Sequence, residues 1–192
     1  MLTDRIIGAF TFKKGTYAEV EKDTSFTTTA WILVAVVSFL SQLGSNASSN
    51  IGHWLIGTIV GTIFAVVGFA LAAFVIAWVG RAIFKADVTF EEMVRTLGLA
   101  YVWNIIGVIG ALAAFSSALS CLLTPALFAG AILGLIAWFV AAKEALDLEW
   151  AQTIITVIIG WIALFVMMLI AGAVLGLLGV TARGLLGAVS GQ

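Results

Sequence analysis

Charge is what this chain has least of. No Asp, Glu, Lys or Arg occurs from Thr24 to Gly80, from Thr96 to Ala142, or from Trp150 to Ala182. Only 10% of the residues are charged and 62% are hydrophobic, against roughly 25% and about 45–50% in a soluble domain. That is too little charge to coat a water-facing surface, so a soluble globular protein is excluded and a lipid-embedded one implied. Cysteine is confined to Cys121, which excludes an internal disulfide and a cysteine zinc cluster. The net charge of −1 supplies no basic field, so nucleic acid is excluded as a partner. Short alternating segments with turn signals are missing, which argues against an outer-membrane barrel. With one proline and 20 glycines, the long apolar runs predict α-helices packed closely in lipid.

A helix needs roughly 20 residues to cross the hydrocarbon. The first two charge-free blocks are long enough for two crossings each and the third for one. Polar breaks fall where double crossings require turns: "GSNASSNIGH" from Gly44 and "SSALSCLLTP" from Ser116. The expected helices run near 27–45, 54–82, 96–116, 122–142 and 150–174. The fold class is therefore an all-α membrane bundle of five transmembrane helices. Leu2, Ile6, Ala9 and Phe10 recur at helical spacing before it and predict a short interfacial helix. Residues 1–26 form a cytoplasmic or interfacial segment, 27–182 the membrane domain and 183–192 a short tail. No signal peptide or lipidation signal is expected. Summed over alternate segments, Lys and Arg number eight on one face and one on the other. The positive-inside rule then places the amino terminus in the cytoplasm.

Two polar entrances echo each other. "KKGTYAEVEKDT" (Lys13–Thr24) and "KADVTFEEMVRT" (Lys85–Thr96) each precede an apolar run and hold a threonine three residues before a glutamate. Thr16 with Glu19, and Thr89 with Glu92, are expected to form capping boxes on the cytoplasmic side. Tyr17 and Phe90 fit an interfacial aromatic position. "LDLEWAQ" from Leu146 repeats the pattern, with Asp147 as cap. These entrances read first as helix starts at a wet boundary; a cytoplasmic docking surface, which capped helices would hold still, is the second and compatible reading.

Chemistry is sparse. No motif for nucleophilic, metal or phosphate chemistry occurs, and no ionisable group falls inside an expected helix, so the chain is not expected to be an enzyme. No cofactor and no metal are expected; His53 is a weak candidate for an axial ligand, with Met167 or Met168 as a second haem ligand by residue type alone. Asn104 is the deepest intramembrane polar residue, and its amide needs a partner. Gly57/Gly61, Gly130/Gly134 and Gly172/Gly176 carry the spacing of close helix packing, as do Gly187/Gly191 in the tail. Asn46-Ala47-Ser48 matches a glycosylation sequon.

Three stretches together carry a resemblance: "KKGTYAEVEKDTSFTTTAW", "TFEEMVRTLGLAYVWNIIGVIG" and "AWFVAAKEALDLEWAQTIITVIIGW". In order and spacing they resemble the Yip family of Ypt/Rab-interacting membrane proteins, in its short bacterial-type form. The family pattern has prolines near Gly15 and Trp103, and this chain has neither. The resemblance implies five crossings, a cytoplasmic amino terminus and no catalytic residues. The expected partners are the lipid bilayer and other membrane subunits, and the expected site is the bacterial plasma (inner) membrane. The leading expectation is a non-enzymatic accessory or scaffold subunit, or a membrane organiser. A carrier or channel for a small neutral or lipid-like molecule is the alternative, and a pigment- or haem-associated subunit the second.

Overall fold

The computed structural model describes residues 1–47, 50–113 and 117–177. All regular structure among them is helical: α1 (Leu2–Phe10), α2 (Thr16–Lys22), α3 (Phe26–Ser45), α4 (Ile51–Phe84), α5 (Phe90–Ala100), a 3-10 segment (Tyr101–Ile109), α6 (Gly110–Ala113), α7 (Ser117–Leu146) and α8 (Trp150–Leu177). Among the described residues, four helical stretches are long and apolar enough to cross a membrane: Phe26–Ser45, Ile51–Phe84, Phe90–Leu112 and Leu119–Leu146. Within α8, Trp150–Ile162 is a shorter apolar stretch. Large apolar side chains such as Phe64, Phe128 and Phe165 point away from the protein, as lipid-facing positions require.

The third long stretch is the innermost. α5 is buried along nearly its whole length, from Met93 to Ala100. It packs against α3, α7, α4 and α2, and its 3-10 continuation lies against α3 and α7. Small residues make this possible. A Cβ added to Gly98 would meet the Ala30 Cβ at 3.0 Å, and one added to Gly44 would strike the Gly107 backbone. α3 and the third stretch therefore touch backbone to backbone.

Several expectations need correcting. The third helix starts at Phe90, not near 96, so Arg95 lies inside it and is 4% exposed. It is not a continuous α-helix, because Tyr101–Ile109 is wound as 3-10. Ser117–Pro125, expected within a turn, belongs to α7. Thr124 returns its hydroxyl to the Ser120 carbonyl at 2.7 Å within that helix. α1 forms where predicted, yet Ala9 is fully buried in the common core and Trp103 donates Nε1–H to its carbonyl at 3.3 Å. Asp147 does not cap α8. It takes φ 49° and closes α7 through its N–H to the Lys143 carbonyl. Gln152 reaches back to the Glu149 N–H at the start of α8 instead.

Candidate functional site

One end of the bundle gathers its charge. Arg95 holds that end from inside. Its Nε donates to the Glu21 carbonyl at 2.8 Å, Nη2 donates to the same oxygen, and Nη1 donates to Thr27 Oγ1 at 3.2 Å. Glu92 stands one turn earlier, 4.0 Å from Nη2. A guanidinium suits this post: its planar fork reaches several acceptors at once and stays charged when buried. Arg5 does the same from α1. It pairs with Glu19 at 2.8 Å and Asp23 at 2.7 Å and lies over the Phe26 ring at 5.0 Å. α1, α2 and the starts of α3 and α5 are thereby tied together. Arg5 and Arg95 escaped the sequence reading because their partners are 14 to 74 residues away. An isolated arginine beginning an apolar run, next to Glu92, was the available signal.

The two threonine entrances diverge. Thr89 accepts from the Glu92 N–H at 3.2 Å while Glu92 accepts from the Thr89 N–H at 2.7 Å, a complete capping box. Thr16 makes no cap bond. Gly15, at φ 85°, occupies the cap position, its carbonyl accepts from the Glu19 N–H, and the Glu19 carboxylate is taken by Arg5. Tyr17 is not at an interfacial rim either. It is 3% exposed, its hydroxyl has no partner among the described residues, and burial pushes its pKa well above the usual value. Glu21 is also held above the usual carboxylate range, first by burial and then by Glu92. Asp23 is held below it by hydrogen bonds from Ser25 and Arg5.

The glycine pairs split by partner. Gly57 faces Asn46, just past the end of α3, and Gly61 faces Gln42 of α3, while Gly130 and Gly134 face Ile106 and Trp103 of the 3-10 segment. Gly172 and Gly176 fall in the last turns of α8, outside the residues whose side chains are described, as do Met167 and Met168. Ser48, Arg183, Gly187 and Gly191 also lie outside the described residues. Gly44, Gly98 and Gly107, which carry the closest crossing, show no four-residue spacing in a single helix and were missed.

Away from the charged end, α3 and α4 are locked by polar groups. Asn46 Nδ2 donates to Gln42 Oε1 at 2.7 Å, Trp54 Nε1 to the Leu43 carbonyl at 2.8 Å, and Thr58 to the Gln42 carbonyl at 3.4 Å. His53 is exposed at this end and follows the Asn50 cap. No cluster of three or more His, Cys, Asp or Glu suited to a metal occurs among the described residues.

Asn104 lies between two crevices. The larger, about 440 Å³, is bounded by α4, the 3-10 segment, α7 and α8, with Phe69, Tyr101, Asn104, Trp138 and Trp161 on its walls. The smaller, about 130 Å³, runs beside Gly107 and Gly130. Phe69, Tyr101 and Trp138 meet one another at 5.4 to 6.5 Å between ring centroids. Ser38 donates to the Tyr101 hydroxyl at 3.2 Å, anchoring the cluster to α3.

An apolar helical bundle with its charge gathered around one end defines an integral membrane protein. The family model described as the Yip1 domain matches residues 7–184, and the chain belongs to that family. No curated protein and no solved structure matches it.

Proposed function

We propose that the chain is a non-enzymatic accessory or scaffold subunit of the membrane, working through lateral helix contacts and its charged end. One observation carries the reading: Arg5 and Arg95 use buried or half-buried guanidiniums to hold α1 and α2 rigidly on the bundle. Such an arrangement creates a fixed polar platform without placing an ionisable group at membrane depth, where transport and proton chemistry usually put one. α8 completes a fifth crossing in this reading. The platform faces the cytoplasm of a bacterial plasma membrane, following the distribution of Lys and Arg.

The test is extraction of the native membrane into a detergent-free polymer disc, followed by sizing and identification of companion chains. A stoichiometric assembly larger than one 20.2 kDa chain is expected. A strictly solitary chain would sink the reading.

A further inference from the structure

We infer that the larger crevice is a binding site for the head of an isoprenoid quinone, a neutral flat ring with carbonyl acceptors. This goes beyond the scaffold reading and holds equally for a solitary chain. Three observations converge on it.

The first is depth. α5 begins with charged turns, Glu91, Glu92 and Arg95, so hydrocarbon starts near Thr96. From there to Asn104 the backbone climbs about 14 Å, taking 1.5 Å per α residue and 2.0 Å per 3-10 residue. That is close to the middle of a hydrocarbon layer about 30 Å thick. Acyl tails, the bulk material at that depth, carry no acceptor.

The second is unmet donation. Asn104 gives one N–H to the Tyr101 carbonyl at 3.2 Å. No partner is found for the rest of its amide among the described residues. Asn104 is exposed on this wall, so the rest of its amide can be reached from the crevice. Polar groups in a dry setting cost free energy until they are paired. A ligand that brings a carbonyl to the Asn104 amide removes that cost. The Trp138 Nε1–H is buried within the wall, without an acceptor among the described residues, and is not open to such a ligand.

The third is shape and charge. The crevice has about 440 Å³, within the usual range of roughly 300–1,000 Å³ for small-molecule sites. Its walls are aromatic, with Phe69, Tyr101, Trp138 and Trp161, and among the described residues no carboxylate, lysine, arginine or histidine lines it. Aromatic walls favour a flat ring through stacked or edge-on contact. The lack of charge favours a neutral one. Charged headgroups are disfavoured at this depth. Binding alone is inferred, with no electron transfer.

The experiment uses the full chain in lipid nanodiscs, titrated with decyl-ubiquinone while tryptophan fluorescence is followed. A saturable quenching component is expected. Asn104→Leu removes the amide; Trp138→Phe keeps an aromatic wall and serves as the control. Asn104→Leu should weaken the saturable component roughly tenfold, the order expected for one lost buried hydrogen bond, and Trp138→Phe should weaken it far less. Asn104→Gln should restore part of it. Quenching that rises only in proportion to the quinone in the bilayer, equally in all variants, would overturn the inference. So would non-saturable quenching together with a dimer that Asn104→Leu dissolves, since a second copy would then cover the amide.

Discussion

Arg95 is the residue on which the charged end depends most. It is buried, yet three of its nitrogens reach oxygens on α2 and α3. Arg95→Met would fill much of the volume but leave the Glu21 carbonyl and the Thr27 hydroxyl without their donor. Hydrogen bonds to charged groups contribute about 1.5–3 kcal/mol each, and breaking a buried charged pair costs about 3–5 kcal/mol. A loss of about 3 kcal/mol is therefore expected in reversible unfolding, with faster hydrogen exchange across Thr16–Ser25. Unchanged exchange in α2 would show that other contacts hold it. The two threonines give a sharper comparison. Thr89→Val should cost about 1 kcal/mol, the usual value of an N-cap. Thr16→Val should cost far less, because Thr16 caps nothing. Equal losses would contradict the assigned caps. The same Thr-aromatic-x-Glu pattern yields two outcomes here, and the cause lies outside the pattern: Gly15 takes the cap position, and Arg5 claims the glutamate.

At the scale of elements, the third stretch is decided by what it touches. Gly44 and Gly107 approach so closely that Gly44→Ala would place its Cβ 2.8 Å from the Gly107 carbonyl carbon. Both sides are backbone, so neither can step aside, and overpacking of this kind costs about 1–3 kcal/mol. Gly68 meets nothing within 4 Å. Gly68→Ala should be neutral, or stabilise by up to about 1 kcal/mol through helix propensity. Thermal unfolding of the two variants checks both signs.

α2 and its exit carry a pH dependence with two opposing parts. The raised Glu21 means that the folded state holds this proton more tightly than the unfolded chain. Stability should therefore rise as pH falls through the folded pKa towards the unfolded value of about 4.3. The lowered Asp23 works the other way. Its contribution is present above its unfolded pKa, about 3.9, and is lost as pH falls through the lower folded value. Glu21→Gln should flatten the first change and Asp23→Asn the second, read from unfolding midpoints in a titration from about pH 3 to about pH 7.

The long apolar helices were legible because lipid imposes a length on them. The docking of α1 was not: Ala9 and Phe10 read as a membrane-facing stripe, but Trp103 meets Phe10 at 4.9 Å and bonds Ala9. A partner 94 residues away leaves no local trace. The resemblance implies prolines near Gly15 and Trp103. Gly15 has a left-handed backbone and Trp103 lies in the 3-10 segment, so the backbone departs from regular α-helix at both places without a proline to force it.

At the scale of the whole molecule, charge among the described residues has sorted itself to one end, while α4, α7 and the first half of α8 expose apolar faces. The five-crossing arrangement predicts that the α3–α4 turn and the α4–α5 link lie on opposite sides of the membrane. Ser45→Cys and Asp87→Cys, each in a Cys121→Ser background, place a thiol at exposed positions. An impermeant maleimide added to sealed cells should label the Ser45→Cys protein at once. The Asp87→Cys protein should stay unlabelled until the membrane is opened. Labelling of both from one side would overturn the arrangement. The asymmetry of Lys and Arg is what this expected topology rests on; the crevice beside Asn104 was not readable, because its walls come from four separate stretches.

The 3-10 segment has a consequence for insertions and deletions. In an α-helix each added residue turns everything beyond it by about 100°, and no small insertion brings the faces back into phase. Over Tyr101–Ile109 each residue turns the chain by about 120°, so three residues close one full revolution. Length and orientation are thereby uncoupled at this point. Removing three residues would shorten the crossing by about 6 Å and leave every downstream side chain facing its former direction. Removing one or two would swing Gly110 away from Gly44. Steps of three amino acids are the natural unit of length variation for this part of the chain.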